Sequence, residues 1–250
     1  MKHSHRFLIA LLALAAALAL FFWPRGTAAA PLAHAAVNEH DPAATDSFEQ
    51  RCQALTAPVI QVTAAPPSYV LKTDLSTRIL STRTGDASGN HSVMGMTASR
   101  TLAEISLVGP SLIDPAGARE CIAPRIDVIL RFEPLDVYIA REFARHSCAY
   151  REVLKHEMQH VKVYAEGMAR IERMVHGELT LRYGGKPHYA KAGQGLDSLQ
   201  EELNGWLSPM LREQLAQVEL LQARLDSIEA TDILSHACRG EVAMMMGSSF

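Results

Sequence analysis

From Cys148 to about Leu181 the chain has no proline and only two glycines, Gly167 and Gly177. A stretch of that length without a breaker reads as one long helix, and Ser147 stands before it as a capping hydroxyl. Gly184-Gly185-Lys186-Pro187 ends it. At 1.5 Å per residue such a helix spans about 50 Å, so a sheet or a second helix must cover its apolar side. This requirement limits the fold more than any other feature.

The helix carries His156-Glu157-Met158-Gln159-His160. Residues i and i+4 stack on one helix face, so both imidazoles can reach one metal ion, with Glu157 beside the open coordination position. Winding the segment at about 100° per residue puts His156 at zero, His160 near 40° and Glu157 near 100°. Val153, Tyr164, Tyr150, Met168, Val161, Leu154, Ala165 and Met158 fill the same arc. Arg151, Glu152, Lys155, Gln159, Lys162, Glu166 and Arg170 fill the opposite one. All three functional side chains therefore face inward. An ionised glutamate buried between two imidazoles is costly without a cation to order them. The pattern points to zinc held by His156 and His160.

Ahead of the helix the pattern is β-like. Val59-Ile60-Gln61-Val62 and Tyr69-Val70-Leu71 flank Pro66-Pro67. A Gly/Ser/Asn loop covers 85–92, and Ala103 to Val108 reads as a strand. Residues 125–131 and 135–140 read as two strands in a hairpin turning near Glu133-Pro134. A second helical region is expected over about 197–230, restarting at Ser208-Pro209. Strands followed by helices imply an α+β domain, a small N-terminal antiparallel sheet with the HExxH helix and an antiparallel C-terminal helix.

At the N-terminus, Lys2 and Arg6 precede an unbroken apolar run from Phe7 to Trp23, and Ala33-His34-Ala35 fits a small-residue cleavage site. This layout predicts a signal peptide over 1–35 and a periplasmic or secreted bacterial protein. The competing reading is an uncleaved membrane anchor. A flexible leader is expected over 36–56 and a single domain over 57–250. Loss of Lys2, Arg6 and Arg25, with no acid, leaves 21 basic and 27 acidic residues, a net charge of −6. Nothing in that balance suits nucleic acid, and membrane contact arises only if the N-terminal segment is retained.

The four cysteines, Cys52, Cys121, Cys148 and Cys238, suit two disulfides in an oxidising compartment. With the 125–140 hairpin, Cys121 comes close to Cys148, leaving Cys52 for Cys238.

Ser147 to His160, with strand 135–140 just ahead, resembles the zincin metallopeptidases and is loosely similar to a bacterial family of predicted secreted zinc-dependent proteases. The resemblance covers about residues 120–180. It implies a zincin-like fold, with His156 and His160 as zinc ligands and Glu157 as general base for a zinc-activated water. Protein or peptide substrates would dock along strand 135–140. A metzincin ligand at position 166 would follow a glycine turn at 163. Here Val163 replaces the glycine, and Glu166 falls near 280°, on the polar face. A third ligand is open among Glu219, which antiparallel back-counting favours, His236, Glu201, Glu202, Glu213 and Glu166. Tyr164 reads as packing, and His176 and His188 as surface histidines. Two functions are compatible with these residues, an exported zinc metallopeptidase and a non-catalytic periplasmic binding protein with a structural or vestigial metal site. Substrate and oligomeric state are not encoded in any motif.

Overall fold

The structure, a computed structural model, describes residues 47–85, 93–132 and 135–247. The expected signal peptide, residues 36–46 of the leader, most of the 85–92 loop and the Glu133-Pro134 turn lie outside the described residues. The strands are β1 (Val59–Ala64), β2 (Tyr69–Lys72), β3 (Gly95–Ala98), β4 (Thr101–Val108), β5 (Ser111–Ile113), β6 (Arg119–Ile122), β7 (Arg125–Phe132), β8 (Leu135–Ile139) and β9 (His188–Lys191). The helices are α1 (Phe48–Gln53), α2 (Thr77–Arg83), α3 (Cys148–Tyr183), α4 (Gly195–Leu225), α5 (Ile228–His236) and α6 (Glu241–Gly247). The class is mixed α+β, with small sheets and long helices, as the pattern predicts.

The expected hairpin does not form. β7 lies between β1 and β4, whereas β8 lies between β2 and β3, so the two do not pair with each other. A tight two-residue hairpin needs residues that accept positive φ, and a Glu-Pro pair is a poor source of them. Two of the three sheets among the described residues are mixed rather than antiparallel, and the third, β5-β6-β9, is antiparallel. β1 runs parallel to β7 and β2 parallel to β8, while β4 and β3 are antiparallel to the same partners. β1 and β7 are far apart in sequence, which leaves ample chain for the crossover that parallel pairing requires.

β7 alternates cleanly, with Ile126, Val128, Leu130 and Phe132 buried. That row meets Val161, Tyr164, Met168, Ile171, Val175 and Leu179 of α3, together with Leu199, Leu203, Leu207, Leu211 and Val218 of α4. Each fully buried aliphatic side chain contributes about 1.5–3 kcal/mol. This interface is therefore what holds α3 in place. Ser147 caps α3 as predicted, its hydroxyl accepting from Tyr150 N–H.

α4 runs through Pro209 without the expected restart. Leu203, Leu207 and Leu211 are buried on both sides of the proline at helical spacing, and that burial offsets the lost backbone bond. Glu120 substitutes for a side-chain cap at the start of α4, accepting from Gly195 N–H at 3.0 Å. α3 and α4 run antiparallel, with Tyr183 against Glu202, Gly167 against Val218 and His160 against Gln222. At Gly167 a Cβ would lie 2.6 Å from Val218 Cγ2, so glycine there permits the close approach.

The disulfides join Cys52 to Cys121 and Cys148 to Cys238, not Cys121 to Cys148 and Cys52 to Cys238. Without the hairpin, Cys121 sits in β6 beside β9 and receives α1, where Phe48 and Cys52 are buried. The expected leader thus contains a helix within its last residues. The second bridge ties the first residue of α3 to the short turn after α5, so the C-terminal segment returns to the start of the HExxH helix.

Candidate metal centre

The inward arc predicted for the long helix is the buried one. Glu157 and His160 are 3% and 7% exposed, Val153, Tyr164 and Met168 are buried, and Lys155, Lys162, Glu166 and Arg170 face solvent. The imidazole rings of His156 and His160 stand edge to face, with centroids 5.0 Å apart.

Their partner is Asp226, the residue that ends α4. Asp226 Oδ1 lies 3.1 Å from His156 Nε2 and 3.0 Å from His160 Nε2, and the two Nε2 atoms are 3.2 Å apart. Three donor atoms thus form a near-equilateral triangle. Gln222, one turn earlier on α4, determines what the triangle contains. Its Nε2 donates to the backbone carbonyl of His160 at 3.1 Å, which fixes the amide's orientation. Its Oε1 then accepts from His160 Nδ1–H at 2.7 Å. With the proton on Nδ1, the neutral ring turns the lone pair of Nε2 toward a carboxylate oxygen and a second imidazole nitrogen. Lone pairs converging at that distance require a cation among them, either further protons or a metal.

The charge balance reflects the same convergence. Burial alone would lower the basicity of His160, but Asp226, Glu157 and Gln222 together outweigh it and hold the imidazolium above its ordinary range. Partial burial would raise the Asp226 carboxyl, yet the two imidazoles hold it well below the usual carboxylate range. A tetrahedral zinc with donors at 2.0–2.1 Å separates them by about 3.3–3.4 Å. The observed edges of 3.0–3.2 Å lie within a few tenths of that. Two imidazoles and one carboxylate are also a donor set that zinc accepts, with a fourth position left open. The residues fit the metal.

Glu157 occupies a separate slot. Thr97 Oγ1 of β3 donates to its Oε2 at 2.7 Å. Desolvation dominates its surroundings and pushes the carboxyl up, although His160, Thr97 and His156 oppose the shift.

None of the third-ligand candidates from sequence joins the triangle. Glu219 faces Tyr164, whose hydroxyl reaches Glu219 Oε1 at 3.5 Å. His236 is exposed on α5, its Nδ1 beside the Asp232 carbonyl. Glu166 pairs with Lys162 on the solvated face, Glu202 accepts from Tyr183, and Glu201 and Glu213 are exposed on α4. His176 is exposed and His188 lies beside Glu202. Tyr164 packs edge-on against Phe132 at 4.8 Å, the packing role expected of it. Antiparallel back-counting points to Glu219, two turns short of Asp226. His160 faces Gln222, so the residue opposite the middle of the motif lies one turn further on, where α4 ends.

Replacing Gln222 with leucine is expected to weaken metal binding about 10- to 100-fold, because the His160 tautomer is no longer held. Competition with a chromophoric chelator measures it, and unchanged affinity would show that Gln222 does not orient the ring.

Comparison with known protein families, with curated proteins and with solved structures yields no match. Two disulfides are compatible with an extracellular or periplasmic location. Among the described residues, no helix is long and apolar enough to cross a membrane.

Proposed function

We propose that this chain is an exported zinc-dependent metallopeptidase of zincin-like architecture. The triangle of His156 Nε2, His160 Nε2 and Asp226 Oδ1 carries the reading, with His160 aimed by Gln222. When bound, zinc supplies a Lewis acid that polarises a carbonyl and brings the pKa of a water toward neutrality. Glu157 takes the proton from the attacking water and passes it to the leaving amine. The two imidazoles and Asp226 hold the metal, and Gln222 keeps His160 in its binding tautomer.

The docking strand differs from the expected one. β8 is paired on both sides and has no free edge, whereas among the described residues β3 is paired on one side only, with β8. Ala140 N–H bonds to Met94 C=O at 2.8 Å. In the β3–β8 register, Met96 and Ala98 therefore bond inward, and Gly95 and Thr97 turn their N–H and C=O groups to the open side. An extended peptide adds to such an edge. A groove of about 280 Å³ beside His156 is walled by Leu225, Ala230, Ile233, Leu234 and Ala237 on one side and by Glu152, Lys155 and Gln159 on the other.

Metal analysis of the purified protein, with cleavage of a quenched fluorescent peptide library before and after chelation, tests the reading. About one zinc per chain and cleavage restored by zinc are expected. Wild-type protein that cannot be loaded with metal would sink it. Retained zinc without turnover on any peptide would instead favour a binding protein. With zinc-loaded Glu157→Gln protein and an uncleaved peptide, amide hydrogen exchange is expected to slow at Gly95 and Thr97 but not at Met96. Equal slowing at all three, or none, would remove β3 as the docking edge.

A further inference from the structure

β3 does more than border the site. Thr97 donates its hydroxyl to Glu157 Oε2 at 2.7 Å, and the same hydroxyl lies 3.4 Å from the Glu157 backbone carbonyl. Two residues earlier on the same strand face, Gly95 lies under the carboxylate. A Cβ there would fall 2.5 Å from Glu157 Oε1 and 2.9 Å from both Cδ and Cγ. Backbone torsion does not demand glycine, since Gly95 is not among the positive-φ glycines. Space for the glutamate does.

From this geometry we propose that Gly95 and Thr97 form a cradle in which Thr97 is a positioning residue for the general base, fixing one carboxylate oxygen so that the other meets the attacking water. The proposal rests on the metallopeptidase reading and deepens it. Oε2 is anchored by Thr97, while Oε1, over the bare Cα of Gly95, carries no hydrogen bond among the described residues. One oxygen is held and the other is left to accept a proton. An unanchored glutamate would spend much of its time in other rotamers, and misplacing a catalytic group by about 1 Å can cost about 100-fold in rate. The strand that cradles the base is also the one whose outer backbone groups face the open edge. A peptide seated on Gly95 and Thr97 is therefore in register with the group that cleaves it.

The test compares Thr97→Val, Thr97→Ser and Gly95→Ala with wild type and Glu157→Gln, each loaded with zinc. The assay uses one quenched peptide chosen from the library, and each protein's zinc content and melting temperature are measured. Thr97→Val is expected to lower kcat about 10- to 100-fold with KM within about twofold and zinc unchanged. Thr97→Ser, which keeps the hydroxyl, is expected to restore kcat to within about threefold. Gly95→Ala is expected to be at least as slow as Thr97→Val. In metal-free protein labelled at glutamate Cδ, the Glu157 carbon resonance is expected to move in Thr97→Val and not in Thr97→Ser. Wild-type kcat in Thr97→Val, a serine variant as slow as the valine one, or an unmoved carbon resonance would overturn the cradle. If Thr97→Val does not fold, the serine and Gly95→Ala variants decide by the same criteria. Equal activity in wild type and Glu157→Gln would fell the peptidase reading instead, and the carbon resonance would still judge the contact.

Discussion

Replacing Asp226 with alanine is expected to leave a folded domain that binds zinc on the order of 1000-fold more weakly than wild type. Asp226 stands at the turn between α4 and α5, and its side chain is 60% exposed, so its removal opens no cavity in the core. It pairs with two largely buried imidazoles, so the metal-free variant should melt below metal-free wild type while remaining folded. The metal is another matter. Structural zinc sites are worth about 10–16 kcal/mol, so losing one of the three protein donors is enough to weaken binding on the order of 1000-fold. Melting with and without added zinc reads this directly. Wild type should be stabilised by zinc and Asp226→Ala should not. A variant that still binds one zinc tightly would show that the third ligand lies elsewhere. Acidification should act on the same site, because both imidazoles must be neutral to coordinate.

Glu157→Gln is expected to keep zinc and lose cleavage by a factor of about 100 to 10,000, the usual worth of a positioned general base. Glutamine is isosteric, and its amide oxygen can still accept from Thr97, so the slot stays filled. Stability should move the other way. Desolvation raises the Glu157 carboxyl, so the unfolded chain ionises it more readily than the folded one. That difference penalises the fold at neutral pH and disappears below the ordinary carboxylate range. Metal-free Glu157→Gln should therefore melt above metal-free wild type at pH 7, with the gap closing as the acid becomes protonated in both states. Undiminished cleavage would remove Glu157 from the chemistry. Cleavage lost together with zinc would mean that the glutamate holds the metal site together rather than moving a proton.

Two features of the site lay outside what periodicity encodes. Thr97 and Gly95 reach Glu157 only because β3 pairs with β8 beside α3, a long-range arrangement that no local pattern announces. The disulfide pairing departs from expectation for a related reason: the expected pairing depends on a 125–140 hairpin, and β7 and β8 each pair with other strands.

His156, Glu157 and His160, their common inward face, the cap at Ser147 and the antiparallel second helix were legible from residue order alone. Helix geometry is local: spacing in sequence is angle on the cylinder, and a sharp apolar arc tells which side is buried. The third donor was not legible. Which residue of α4 meets the HExxH turn depends on where that helix begins and ends. Glu120 at its N-terminus, β9 in the connection and the break at Asp226 settle those limits. A shift of one turn would have put Gln222 beside the two histidines, and a shift of two turns Glu219. Tertiary packing alone brings Asp226 there, because the buried α3–α4 interface permits only one register.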